Sequence, residues 1–310
     1  MSDGRSQDPS AGADVGGRSG LGRVSAVGAV LCWSGGNVIV AQFDMPGMAI
    51  AFWRLVIGSV VYGAILYASG RRITRANVRL AIPVAVVFAL ELGLFFTSLH
   101  HTSVANATII GSLQTIVLLA VAARRYRERI GLWLAGLGGI ALVGVVVVVL
   151  GGDSADGTGL SLRGDLLAVA AMVFFSVYFV LVKEVRSRID TFTLQTAIMA
   201  IGAVVLLPFA AIDAGQVVPT FPSWSQWGWL ALLLAIPGTG HFLMNWAHLH
   251  VTLSLAGLLT LAVPVLSTFG AWLFLDQRLS SAQALGMAVV LASLVLVVRR
   301  DARLQAKSTG

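Results

Sequence analysis

Two stretches decide the fold: TSVANATIIGSLQTIV at 102–117 and VTLSLAGLLTLAVPVL at 251–266. They align without a gap at a shift of 149 positions, and the same shift carries RERIG at 127–131 onto DQRLS at 276–280. Each is an apolar run that ends in a charged turn and is followed by a second apolar run. About 20 mainly apolar residues suffice to carry a helix across roughly 30 Å of hydrocarbon. Working outward from the two matched stretches, apolar segments bounded by charges or by Gly, Pro and Asp turns fall at 24–41, 47–69, 78–99, 103–123, 131–150, 164–183, 191–211, 226–247, 252–275 and 281–298. That predicts ten membrane helices, five per repeat. Because five is odd, the second copy enters the membrane upside down relative to the first. The first and eighth helices are expected to be interrupted, at Ser34-Gly35-Gly36-Asn37 and at Pro237-Gly238-Thr239-Gly240-His241. Such breaks persist in a bilayer only where the freed backbone groups face protein or a water-filled cavity.

Composition excludes a soluble chain. Of 310 residues, 57% are hydrophobic and only 11% charged, and the mean hydropathy is +0.87. Ten spans leave no room for a large soluble domain. The single cysteine, Cys32, lies in an apolar segment and is silent about redox compartment. A net charge of +7 could suggest nucleic acid in a soluble protein, but its distribution here is topological. With the N-terminus inside, every Lys and Arg except Arg54, Arg163 and Arg278 falls in an inner segment, as cytoplasmic loops require. Both termini are therefore expected in the cytoplasm of a multi-pass protein of the cell membrane. The expected organisation is a disordered tail over 1–22, a first repeat over 23–150, an external linker over 151–163, a second repeat over 164–299 and a cytoplasmic tail over 300–310. The fold class is an all-α membrane protein of two inverted five-helix repeats around a central cavity, the architecture of secondary transporters.

The chain resembles the drug/metabolite transporter superfamily, specifically its EamA-type ten-helix permeases. The motifs that carry the resemblance are LCWSGGNVIV (31–40), AFWRLVIG (51–58), SLHHTSVANATIIGSLQTIVLL (98–119), GDLLAVAAMVFFSVYFVLVK (164–183) and HVTLSLAGLLTLAVPVLSTFGAWLFLDQRLSSAQALGMAVVL (250–291). They are specific for the family and silent about substrate. Two departures stand out. The family pattern has Pro in the middle of the fourth and ninth helices, where this chain has Thr115 and Pro264; the acidic residue of the last turn is Glu128 in the first half and Gln277 in the second. The resemblance implies a central cavity lined by helices one, three, four, six, eight and nine.

An ionisable side chain deep in a membrane is costly and is by default a functional candidate with a partner. Arg54 and Glu91 qualify: each lies eight residues, about 12 Å, below the external end of its helix. Equal depth on consecutive antiparallel helices suggests a mutual ion pair. Gly47, Ala51, Arg54 and Gly58 share one face, so Arg54 is expected to point into the bundle. Two readings stay open, a structural pair or a pair that engages a polar substrate or a proton; Glu91 is the natural proton carrier. The remaining candidates are Trp33, Ser34 and Asn37 on helix one, Asn106, Thr108 and Gln114 on helix four, Ser176 and Tyr178 on helix six, and His241 and Asn245 on helix eight. Each could equally be a hydrogen bond between helices. Trp53 and Trp246 read as core rather than ligand-stacking rings, and Trp224, Trp227 and Trp229 as an interfacial belt. His248 and His250, two apart, do not share a helix face for a metal.

No phosphate-binding loop, nucleophile elbow or dinucleotide fingerprint is present, so neither an ATP-driven pump nor a hydrolase is suggested. The expected function is a non-enzymatic secondary transporter without cofactor, exporting small polar or amphipathic metabolites such as amino acids. The alternatives are an exporter of larger amphipathic or toxic compounds, and a non-transporting membrane scaffold or lipid-acting enzyme. The partners that follow are a small-molecule substrate, membrane lipid, a coupled proton and, as an open alternative, a second copy of the chain. Nucleic acid is not among them.

Overall fold

A computed structural model describes residues 9–40, 42–102, 104–151, 162–274 and 278–309; the side chain of Asn37 lies outside that description, as do Gln277 and nearly all of the linker at 151–163. All regular structure among the described residues is helical: α1 Pro9–Ser34, α2 Gly36–Val40, α3 Gly47–Ala68, α4 Arg75–Ser98, α5 Val104–Ser112, α6 Gln114–Arg125, α7 Leu132–Leu150, α8 Leu162–Val185, α9 Thr191–Asp213, α10 Trp224–Leu233, a π-helical turn Leu234–Gly238, α11 Thr239–Ala247, α12 Leu253–Leu259, α13 Ala262–Phe274 and α14 Ser281–Thr309. Among the described residues nine spans are long and apolar enough to cross a membrane: α3, α4, Asn106–Arg125, α7, α8, α9, Trp224–Ala247, Leu253–Gly270 and Ser281–Leu304. The tenth segment is α1 with α2, whose first half carries Asp14, Arg18 and Arg23.

The inversion of the repeats is visible in how equivalent helices meet. The second helix of the first half, α3, packs along the second helix of the other half, α9. The start of α3 touches the end of α9, where Met48 N donates to Asp213 Oδ2 at 3.4 Å, and just past the end of α3 Arg71 Nη1 lies 3.3 Å from Asp190 Oδ1 at the cap of α9. The fifth helices, α7 and α14, do the same. Gln283 at the start of α14 donates to the Val148 carbonyl near the end of α7, and Arg300 near the end of α14 sits 4.4 Å from the ring centre of Trp133 at the start of α7. Equivalent helices are antiparallel. Two further contacts, α4 with α8 and α1 with α11, pair the third helix of one half with the first of the other and exchange places when the halves are swapped, whereas the extensive contact of α4 with α9 has no such counterpart.

One face of the bundle collects the arginines. Arg23 pairs with Asp301 at 3.1 Å, Arg125 with Glu184 at 2.8 Å, and Glu128 accepts from the backbone N–H groups of Leu253 and Ser254, tying the turn after α6 to the start of α12. Asp190 caps α9 through the N–H groups of Phe192 and Thr193. Burial works against its charge, but bonds from Thr193 and Phe192 and the nearby Arg71 guanidinium outweigh that and hold its pKa below the usual carboxylate value. On the opposite face Thr102 donates to Asp165 at 2.6 Å, and the Trp53 indole donates to the Thr220 carbonyl within a cluster that includes Phe221 and Trp227. Trp224, by contrast, is exposed.

The helices run and break at three places beyond the sequence reading. Helix begins at Pro9, a residue pre-set for a first helical turn, and the chain is closely packed at Gly22, where a Cβ would lie 2.5 Å from that of His250. At the other end α14 continues through Thr309 rather than stopping at 299. The fourth and ninth helices, expected to be continuous, are both broken, at Leu113 and at Thr260–Leu261, nearly the same place in the repeat. In the ninth helix the cause is Pro264, which has no N–H to offer the Thr260 carbonyl. In the fourth, Ser112 bonds back to the Thr108 carbonyl, a contact that bends helices, and Thr115 sends its hydroxyl to Gly257 on α12.

Gly47 sets the close approach of α3 to the end of α4. A Cβ there would lie 2.4 Å from Thr97 N and 2.5 Å from Phe96 C, and backbone cannot swing aside. Gly47→Ala is therefore expected to destabilise the fold by about 1–3 kcal/mol, the usual cost of overpacking. Unfolding by detergent titration checks this; wild-type resistance would mean that α3 and α4 slide apart without penalty.

Candidate functional site

Four of the ten membrane segments are discontinuous, and their breaks face one another in pairs. The Gly35 interruption between α1 and α2 lies against the π-helical turn before α11, with the Cβ position of Gly36 3.4 Å from the Pro237 ring. The break at Leu113 lies against that at Thr260: Gln114 Nε2 donates to Thr260 Oγ1 at 2.9 Å, and Thr260 passes the bond on to the Gly257 carbonyl at 2.7 Å. Between the two pairs is a cavity of about 170 Å³. Gly36, Pro237, Gly111, Gln114, Thr260 and Pro264 all contribute to its wall, so each break opens on it.

Trp33 of α1, His241 of α11, Glu91 of α4 and Ala171, Met172 and Phe175 of α8 share the lining of the cavity, and Trp33 meets Phe175 edge-on at 5.8 Å. Arg54 reaches it from α3. Arg54 is 1% exposed and Glu91 8%. The expected ion pair between them is not formed: among the described residues no carboxylate lies within 4.0 Å of the Arg54 guanidinium. Both project into the cavity rather than saturating each other. Six buried polar atoms of residues on its wall have no hydrogen-bond partner among the described residues: Trp33 Nε1, Arg54 Nε and Nη2, Glu91 Oε2, Gln114 Oε1 and His241 Nδ1. Buried polar atoms are otherwise almost always satisfied, so their convergence on one space marks a place where a ligand completes the bonding.

Of the residues singled out in the sequence, Trp33, Arg54, Glu91, Thr108, Gln114 and His241 thus come together. Ser34 and Ser176 do not: each bonds back to its own helix, at the Val30 and Met172 carbonyls, and the Ser34 carbonyl accepts from Ser267. Asn106 stays above the cavity, bonding toward Thr102. Trp53 belongs to the cluster on the outer face, and Trp246 packs on His250 at 4.2 Å. Sequence reasoning missed Phe95, Met172, Phe175 and Thr260; Thr260 lies at a break, and the other three are apolar residues of continuous helices with no local signal.

Tyr178 and Asn245 form the floor. Phe88 and His241 meet at 4.8 Å and Phe88 and Tyr178 at 5.0 Å, an aromatic layer beneath the cavity. Below it Tyr178 donates to Asn245 Oδ1 at 2.6 Å, Asn245 Nδ2 donates to Gln195 Oε1 at 2.8 Å, and Arg186 Nε donates to the Asn245 carbonyl at 2.9 Å, with a further bond from Arg186 Nη1 to Ile189 O. Lys183 donates to the carbonyls of His248 and Val251. Burial, with Lys183 and Arg186 nearby, pushes the His248 imidazole down to about 3, so it stays neutral in the turn beyond α11. These bonds join α8 to the end of α11 on the arginine-rich side. The cavity is closed there and lies in the half of the bundle toward the other face.

Comparison with known proteins gives a consistent result. Residues 20–150 and 162–299 each match the model of the EamA-like transporter family. An uncharacterised transporter of Bacillus subtilis is 23% identical over 90% of this chain and 87% of its own length. A pseudopaline exporter of Pseudomonas aeruginosa is 22% identical over 83% of this chain and 88% of its own. A solved crystal structure with 22% identity superposes with a TM-score of 0.73, covering 91% of this chain and 98% of that one, which establishes the likeness of fold.

Proposed function

The chain belongs to the EamA-like transporter family, and from that premise we propose that it is a secondary exporter of small polar or amphipathic metabolites such as amino acids, working by alternating access and without enzymatic chemistry. The observation that carries the reading is the cavity in which Arg54 and Glu91 present unpaired polar atoms without neutralising each other. A carboxylate on the substrate suits Arg54 and an ammonium group suits Glu91, while Phe95, Phe175 and Met172 offer an apolar wall to the rest of the molecule. A volume of about 170 Å³ falls below the roughly 300–1,000 Å³ of sites for drug-sized ligands, which favours a metabolite over a large toxic amphiphile. Export is the direction named for the Pseudomonas relatives.

In the proposed cycle the α1–α11 pair rocks against the α4–α8 pair. With the Tyr178–Asn245 layer closed, substrate leaves and Glu91 takes up a proton from outside. With it open, the proton departs to the cytoplasm and the carboxylate receives the next substrate. The arginine-rich face is the cytoplasmic one, so reporters fused after Lys307 or inserted at 70–78 should read cytoplasm and one inserted at 151–163 should read the exterior. Opposite readings would invert the cycle.

Efflux from preloaded cells over a panel of labelled amino acids and common toxic cations, with and without the gene, tests the substrate class. Gene-dependent loss of a zwitterion is expected. Loss of cations alone would overturn the reading.

A further inference from the structure

A second cavity, of about 330 Å³, opens on the arginine-rich face between the turn after α6, the start of α12 and the end of α14. Part of its wall is apolar, built from Trp133, Leu134, Leu255, Val297 and Leu304, and part is polar, with Thr252, Ser254, Glu128 and Asp301. Its rim carries two exposed guanidinium groups, Arg129 and Arg300. Neither has a carboxylate within 4.0 Å among the described residues; Arg300 instead rests over the Trp133 ring. The two carboxylates of the crevice are already committed, Glu128 to the N–H groups of Leu253 and Ser254, and Asp301 to Arg23. An incoming anion therefore meets two guanidinium groups that no carboxylate occupies among the described residues, with the Asp301 charge offset by Arg23 and Glu128 turned to the backbone of α12.

We propose that this crevice binds the head group of an anionic phospholipid of the inner leaflet, its phosphate between Arg129 and Arg300 and the upper part of an acyl chain along Trp133 and Leu134. A tryptophan at the boundary under a stacked arginine, with apolar walls below, matches a molecule that is charged at one end and greasy at the other. Basic pockets between helices on the cytoplasmic side are where such head groups lodge. A free phosphate would satisfy the guanidinium groups and leave the apolar wall unfilled. The bound lipid would bridge α14 to the turn between α6 and α7, and so clasp the two halves at the α7–α14 seam.

The test uses the purified full chain in nanodiscs of phosphatidylglycerol or of phosphatidylcholine, with Arg129→Gln/Arg300→Gln as the variant. Phosphatidylglycerol is expected to raise the wild-type unfolding midpoint by about 3 °C over phosphatidylcholine, and the variant to lose that difference while keeping its midpoint in phosphatidylcholine. Native mass spectrometry from mixed lipid should show phosphatidylglycerol retained by the wild type and released by the variant. Retention by both proteins would overturn the proposal. So would an equal midpoint rise from inorganic phosphate or glycerol 1-phosphate in phosphatidylcholine discs, which would assign the site to a soluble anion.

Discussion

Glu91→Gln is expected to insert and fold like the wild type and to lose efflux by roughly 100-fold, the low end of what a positioned proton-transfer group contributes. Glutamine keeps the shape of the side chain, so packing around the 8%-exposed residue survives, but it offers neither a charge for an ammonium group nor a site for a proton. The competing view, that Arg54 and Glu91 merely neutralise each other, makes a different forecast for Arg54→Leu/Glu91→Leu. A matched apolar replacement of a structural pair is often neutral. Because the two side chains do not contact each other and both face the cavity, we expect the double variant to accumulate in the membrane and transport nothing. Efflux per molecule, at equal membrane abundance, decides the matter. Wild-type efflux in Glu91→Gln would remove the proton from this residue and turn attention to His241.

Asn245→Leu should have the second large effect, on conformation rather than on binding. Asn245 is wholly buried and holds Tyr178 and Gln195 together, so the variant leaves a hydroxyl and an amide oxygen unsatisfied in the closed floor. Each such group costs about 1–3 kcal/mol, a cost relieved when the floor opens and water enters. A penalty of about 2 kcal/mol shifts the ratio of closed to open molecules about 30-fold. Nitroxide labels at Arg188, beyond α8, and Leu249, beyond α11, should report a longer distance that is minor in the wild type and dominant in the variant. An unchanged distance distribution in a folded variant would show that the floor is not the gate.

The architecture was legible in the sequence because membrane spans are long and the positive residues lie on one side of the count. The site was legible in part. Arg54 and Glu91 stood out because charge is scarce in an apolar chain, Gln114 because it is a polar side chain within an apolar helix, and His241 because it closes a Gly and Pro interruption. Their relation to each other was not legible: equal depth suggested contact, yet the side chains are turned toward a common space. The inner floor was scattered across Tyr178, Arg186, Gln195 and Asn245, whose separation in the chain exceeds any local pattern and whose bonds exist only after α8, α9 and α11 assemble. The break in the fourth helix had no proline to announce it.

The seam between α7 and α14 has a mechanical meaning. Gly144 and Gly286 are packed so closely that a Cβ on the first would lie 2.7 Å from Val290 Cγ2, and one on the second 2.9 Å from the Gly144 carbonyl oxygen. Neither helix contributes a residue to the central cavity. In the proposed cycle such a seam acts as a fulcrum, a line about which two stiff bodies turn without either being stretched. A slight tilt at the fulcrum becomes a larger stroke at the far end of the lever, where the Tyr178–Asn245 contacts part. The work of each stroke then goes into trading one set of hydrogen bonds for its mirror counterpart, and the helices themselves are spared bending.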